Sequence, residues 1–287
     1  MTITRRTFLV EAALAGGAVA LPRTARAEAR FKVGVTDWNL RQTGRVEALA
    51  LAQSLGFEGV QVSIGRGGPE PPSALPLADP ELQRAYLAES KKLGLPIASL
   101  CLDILHRNYL KNDALGQRWV ADSVPVARAM GVKVILLPFF GKGALENTTE
   151  MDYVGDALRE VAPAAEKAGV ILGLEDTISA RDNVRIMERT KSSAVLTYYD
   201  VGNSTRQGFD VVSEIRWLGK PRICEMHLKD NPHYLGEGTI DFKGVVRAMA
   251  DIGFAEWAHL ETDSPSKSIP SDMKRNLAFV RDRMKEV

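Results

Sequence analysis

Short apolar runs alternate with longer helical patterns eight times along this chain, and that rhythm restricts the fold more than any other feature. The runs cover residues 31–37, 59–63, 96–103, 133–138, 170–175, 195–200, 223–228 and 257–261. Helical periodicity fills 44–55, 79–93, 114–130, 151–168, 182–193, 210–218, 242–252 and 271–285. Leu55-Gly56, Leu93-Gly94, Met130-Gly131, Ala168-Gly169 and Ile252-Gly253 close five of these segments with the residue that helix C-termini favour. Strand, helix, glycine, strand is the order of parallel β/α units. Eight such units predict a closed (β/α)8 TIM barrel, a single domain over residues 28–287. The first run leads into Trp38-Asn39-Leu40 without a G-x-G-x-x-G, which speaks against an open dinucleotide-binding sheet.

Ahead of the first unit the pattern changes. Thr4-Arg5-Arg6-Thr7-Phe8-Leu9 has the twin-arginine form, residues 10–21 are weakly apolar and rich in Ala and Gly, and Ala25-Arg26-Ala27 is an A-x-A cleavage site. Residues 1–27 are expected to be a twin-arginine signal peptide. It would be handled by the Tat export machinery and leave a periplasmic protein with no stable membrane anchor after cleavage. The whole chain has 37 basic and 36 acidic residues. Loss of Arg5, Arg6, Arg23, Arg26 and Glu11 turns that balance slightly acidic, which argues against a nucleic-acid partner. Two cysteines, Cys101 and Cys224, lie inside strand-like runs and are expected to pack as small hydrophobes rather than build a disulfide framework.

Chemistry gathers at the ends of the last four runs. Glu225-Met226-His227-Leu228-Lys229-Asp230 sets an imidazole, an ammonium and carboxylates beside apolar residues, an expensive arrangement unless something binds there. The neighbouring runs end in Glu175, Asp200 and Glu261. In a barrel of this type catalytic groups come from the carboxyl ends of strands. Alternation along a strand puts His227 on the side of Glu225 and Lys229, and sends Met226 and Leu228 toward the helices. Three converging carboxylates would repel one another, and a cation removes that conflict. Glu175, Asp200, His227 and Glu261 are therefore expected to hold one divalent metal ion. Their mainly oxygen character favours Mn2+, Mg2+ or Co2+ and also admits Zn2+.

These four strand tips, the H-x-K-D form of the seventh, and the segment Leu235-Gly236-Glu237-Gly238-Thr239-Ile240-Asp241-Phe242 make the chain similar to the sugar phosphate isomerase/epimerase family. That is the xylose-isomerase-like barrel group that includes ketose 3-epimerases. The resemblance implies that Glu175 and Glu261 double as acid/base groups on opposite faces of a sugar. A metal-stabilised enediolate makes a proton beside a carbonyl removable. Two flanking carboxylates then epimerise the carbon, and a single shuttling group isomerises aldose and ketose. Related barrels assemble into homo-oligomers, but no helix here is apolar enough all round to show an interface.

His106, Lys229, Trp38 and Asn203 are the candidate substrate-binding residues. His106 follows the third strand, placed either to touch a sugar hydroxyl or as a solvated loop histidine; Lys229 either holds a substrate oxygen or phosphate or pairs with Asp230; Trp38 either forms an apolar wall against a sugar face or simply closes the barrel; Asn203 would fix its own loop. Glu225 and His259 are expected one layer below His227 and Glu261, as a buried pair orienting the ligands. An endonuclease IV-like multi-zinc site is disfavoured because the chain has only four histidines. A barrel that binds sugar or metal without turnover is a non-enzymatic alternative. A stronger one is a metal-dependent lyase or hydrolase acting on 3-keto-glycosides by elimination. Phosphorylated sugars are scarce outside the cytoplasm, so export favours free sugars or glycosides as the small-molecule partner.

Overall fold

The computed structural model describes residues 29–67 and 72–287. The expected leader and its cleavage site lie outside these residues. Eight parallel strands close into a barrel in sequence order: β1 (Lys32–Thr36), β2 (Val60–Ser63), β3 (Ile97–Cys101), β4 (Val134–Pro138), β5 (Ile171–Glu175), β6 (Val195–Asp200), β7 (Ile223–Leu228) and β8 (Trp257–Leu260). Closure is by β1 against β8, where Lys32 pairs with Trp257 and Val35 with Leu260. The eightfold rhythm thus gives the expected TIM barrel.

Helices cover the outside: α1 (Glu47–Leu55), α2 (Pro80–Leu93), α3 (Ala114–Met130), α4 (Thr148–Ala168), α5 (Ala180–Thr190), α6 (Val201–Arg206), α7 (Val211–Leu218), α8 (Phe242–Asp251) and α9 (Ile269–Lys285). Gly56, Gly94, Gly131 and Gly169 end α1 to α4 in the left-handed conformation that their sequence positions announce. α5 departs from expectation, running 180–190 rather than 182–193. It is stopped by Lys191 at φ 54°, a residue without the glycine signal. α6 was not foreseen. Six residues are too few to show a period, and the helix starts because Asp200 itself caps it, accepting a hydrogen bond from the Asn203 N–H at 2.7 Å.

Alternation along β4 shows how the two faces divide. Ile135 and Leu137 join the large core between sheet and helices, while Val134 and Leu136 join a smaller cluster inside the barrel with Cys101, Tyr198 and Cys224. Both cysteines are free and buried, as expected of small hydrophobes. Met226 and Leu228 pack outward, leaving His227 inside. Inside the barrel a small apolar cluster therefore shares the space with buried polar side chains, among them Gln61, Ser99, Glu225 and His259, and further acidic groups collect at the carboxyl ends of the strands. Among the described residues no helix is long and apolar enough to cross a membrane.

Candidate metal centre

Glu175 is the last residue of β5, Asp200 the last of β6, and Glu261 follows the last residue of β8. Asp200 pairs in register with His227 on β7, so the two stand side by side at the same height. One ligand atom from each of Glu175, Asp200, His227 and Glu261 lies within 4.8 Å of all the others. Nδ1 of His227 is the hub, 2.8 Å from Glu175 Oε1, 3.6 Å from Asp200 Oδ2 and 3.4 Å from Glu261 Oε2. Parallel strands bring these groups together because their carboxyl ends all open at one rim. Three acidic oxygens and one imidazole nitrogen, converging in a buried site, fit a hard or borderline divalent cation.

Lys229, two residues after His227, sends its ammonium back into this cluster. It stands 2.7 Å from Asp200 Oδ2 and touches Glu261 Oε2. Pairing with Asp230, one of the two roles expected for it, does not occur. The Asp230 carboxylate instead accepts from the backbone N–H groups of Gly236 and Gly238, at 3.1 and 2.9 Å, because the following loop folds over it. Burial pushes the carboxyl of Asp200 up, but the Lys229 ammonium and the His227 ring together outweigh it and hold the group below the usual range. Glu261 is lowered in the same way. Glu175 lies farther from the ammonium, and burial raises its carboxyl to about 7 against the pull of His227. Burial disfavours the His227 cation, yet Glu175 and Glu261 together carry its pKa well above the ordinary histidine value.

Beneath the cluster a second polar layer fills the barrel. Nε2 of His227 is 2.7 Å from Gln61 Oε1, and the Gln61 amide nitrogen lies 3.1 Å from both Ser99 Oγ and Tyr198 Oη. The Tyr198 hydroxyl is 2.8 Å from His259 Nδ1, and Glu225 Oε2 is 3.6 Å from that same nitrogen. The expected Glu225 and His259 pair is thus present and buried. The partner that touches His227, however, is Gln61, reaching across the barrel from β2. Burial raises the Glu225 carboxyl to about 8 and lowers His259 well below the usual imidazole range.

Above the cluster opens a cavity of about 630 Å3, lined by Glu175 and Glu261 together with Trp38, Arg66, Asp103, His106 and Phe140. Trp38 donates from Nε1 to Glu261 Oε1 at 3.1 Å, so it positions that carboxylate as well as walling the cavity. His106 stacks on Phe140 with ring centroids 6.2 Å apart, and burial lowers its pKa to about 4, leaving a neutral imidazole. A second recess of about 400 Å3 shares Phe140 and Glu261 with the first and is lined by Asn203, Arg206 and Lys229. Asn203 lies in α6 rather than in the loop expected for it; its side chain accepts from Arg206 at 2.7 Å and its backbone N–H donates to the capping Asp200. All four candidate substrate-binding residues therefore border this mouth. Gln61, Tyr198, Phe140 and Arg206 were missed by sequence reasoning. Only strand parity could have pointed to Gln61 and Tyr198, and nothing in the sequence singles out the other two.

The xylose isomerase-like TIM barrel family model matches residues 49–283. The 2-epi-5-epi-valiolone 7-phosphate 2-epimerase of an Actinoplanes species is 26% identical over 214 residues, which are 73% of this chain and 76% of that protein. Among solved structures, a D-psicose 3-epimerase from Clostridium cellulolyticum H10, determined with D-tagatose, superposes with a TM-score of 0.73 at 16% identity. It covers 88% of this chain and 99% of its own. The 3-keto-D-glucoside 4-epimerase of E. coli superposes with a TM-score of 0.71, also at 16% identity, over 88% of this chain and 100% of its own. At such identities the likeness to the solved structures is one of fold. On the family match, which spans most of the barrel, the chain belongs to the xylose isomerase-like TIM barrel family.

Proposed function

We propose that this protein is a divalent-metal-dependent sugar isomerase or epimerase that moves a proton on a carbon beside a carbonyl. The observation that carries the reading is that Glu175 and Glu261 line one cavity directly above a four-residue cluster of metal-ligand type. Glu175, Asp200, His227 and Glu261 would hold the ion. When bound, it would supply Lewis-acid stabilisation to the negative charge developing on a substrate oxygen, an effect of several kcal/mol. Glu261, kept ionised by Lys229 and His227, is suited to take the proton; the electron pair of the broken C–H bond then forms the C=C bond while the carbonyl π pair moves onto the substrate oxygen. Glu175, with its raised pKa, is suited to return a proton to the opposite face. Trp38 and the stacked pair His106 and Phe140 offer a sugar an apolar wall and one neutral hydrogen-bonding ring.

Two relatives work on keto or carbocyclic sugars by their printed names, a 3-keto-D-glucoside 4-epimerase and a valiolone phosphate epimerase. A second reading, elimination from 3-keto-glycosides, is favoured by the adjoining recess, which gives room for an aglycone beyond the ring being deprotonated. Manganese-loaded protein incubated in deuterated water with free ketoses and with 3-keto-glycosides separates these readings. Deuterium entering an epimer supports the first, and aglycone release without epimer supports the second. If no carbon-bound deuterium and no product appear with any sugar, both readings fail. Export through the Tat pathway to the periplasm belongs to the same proposal, because it places the enzyme where free sugars and glycosides exceed sugar phosphates.

A further inference from the structure

We propose that Gln61 is a positioning residue that decides which nitrogen of His227 faces the metal, by accepting a hydrogen bond from Nε2–H and so leaving Nδ1 to the ion. The inference rests on the metal reading above and concerns a residue outside the ligand set. Gln61 is fully buried, and it meets His227 from a strand three places away around the closed barrel. Its amide is held at both ends. Oε1 is 2.7 Å from His227 Nε2, while the amide nitrogen has acceptors at 3.1 Å in Ser99 Oγ and Tyr198 Oη. The Tyr198 hydroxyl has a single hydrogen, with His259 Nδ1 2.8 Å away and the Glu225 carboxylate also beside it, and its oxygen keeps lone pairs with which to accept from Gln61. An amide whose two N–H groups are used this way turns only its carbonyl to the imidazole.

A carbonyl can accept from Nε2 only if Nε2 carries hydrogen, and a neutral imidazole then has its lone pair on Nδ1. That is the nitrogen lying 2.8 to 3.6 Å from the three carboxylates. The ring is also clamped from its sides. Tyr198 meets it edge-on with centroids 4.7 Å apart, and Trp38 does so at 5.9 Å. Reversing the Gln61 amide would turn N–H toward Nε2 and put the remaining hydrogen on Nδ1, where it would block the ligand position.

The test has two arms. In the first, protein with 15N-labelled histidine is loaded with Zn2+, which is diamagnetic, and the His227 nitrogens are assigned with the help of a His259→Gln variant. A protonated Nε2 and a metal-bound Nδ1 are expected; a proton on Nδ1, or coordination through Nε2, overturns the proposal. In the second, Zn2+ affinity is measured by calorimetry for the wild type, Gln61→Met and Gln61→Glu, with circular dichroism as the check of fold. Gln61→Met should bind roughly 10–100-fold more weakly, the usual loss for such partners of a metal-bound histidine. Gln61→Glu, which keeps an acceptor facing Nε2, should regain most of that affinity. Affinity unchanged in Gln61→Met would also overturn it. If Gln61→Met does not fold, the nitrogen spectrum of the wild type still decides. A wild type that takes up no zinc defeats the metal reading and this inference with it, whereas zinc bound with the other nitrogen protonated defeats this inference alone.

Discussion

Lys229 holds its ammonium 2.7 Å from Oδ2 of Asp200, the oxygen that faces Nδ1 of His227. The candidate metal-ligand cluster thus has an internal cation supplied just past the end of the strand that also supplies its imidazole. This lets three buried carboxylates fold together before any ion arrives, and it sets the sign of the first prediction.

Replacing Lys229 with Met should destabilise the metal-free protein, because Asp200 and Glu261 lose a buried counter-charge. Breaking a buried pair from one side costs about 3–5 kcal/mol, which in a chain of this size lowers the melting temperature on the order of 10 °C. Added Mn2+ should restore a larger share of the melting temperature in the variant than in the wild type. Thermal melts with and without chelator check both statements. Equal stabilisation by the ion in the two proteins would mean that Lys229 does not share its charge with the site.

Glu175→Gln and Glu261→Gln should each reduce exchange of substrate carbon-bound hydrogen with deuterated water by roughly 10²–10⁴-fold, the usual contribution of a positioned acid or base. Melting curves should remain cooperative, since the barrel core lies below both groups. The measurement is deuterium incorporation followed by proton NMR. Exchange surviving in both variants would remove these carboxylates from the chemistry.

Asp37 provides a pH dependence away from the metal cluster. Burial raises its carboxyl from 3.8 to about 7, outweighing hydrogen bonds from the Ser63 and Gly44 backbone and the Ser63 hydroxyl. The folded state therefore keeps a proton that the unfolded state has lost. Its contribution to stability is full below the unfolded pKa and disappears as pH rises through the folded one. Between pH 4 and 8 the wild type should lose on the order of 3 kcal/mol relative to Asp37→Asn. Urea unfolding of the two proteins across that range measures the difference, and parallel curves would contradict the raised value.

Gly34 on β1 leaves the space that His259 fills. A Cβ there would lie 2.9 Å from the ring's Nε2, closer still to Cδ2, and 3.2 Å from the Gly59 carbonyl oxygen. Gly34→Ala should destabilise the protein by roughly 1–3 kcal/mol, as overpacking does. Chemical unfolding provides the number, and a neutral effect would show that the ring can move aside.

The proposed leader is tested by expression rather than by structure. Full-length protein should appear in the periplasm with Glu28 as its first residue, and Arg5→Lys together with Arg6→Lys should retain it in the cytoplasm. Fractionation with N-terminal sequencing checks this, and unchanged export in the double variant would exclude the twin-arginine route.

The amino-acid sequence by itself determined the eight β/α units and the four strand tips. Both are local: a strand and its flanking glycine show in a few consecutive residues, and strands that all run the same way must open their carboxyl ends at one rim. That is why Glu175, Asp200, His227 and Glu261 could be paired as a ligand set although 86 residues of chain separate the first from the last. Only the tertiary structure decided which inward side chains meet. Lys229 turned to Asp200 and Glu261 instead of its neighbour Asp230, and His227 found Gln61 on β2 instead of the closer Glu225 and His259. Parity along a strand says which residues face inward. The closure and stagger of the barrel decide which of them come within hydrogen-bonding distance across its axis, and no stretch of sequence contains that information on its own.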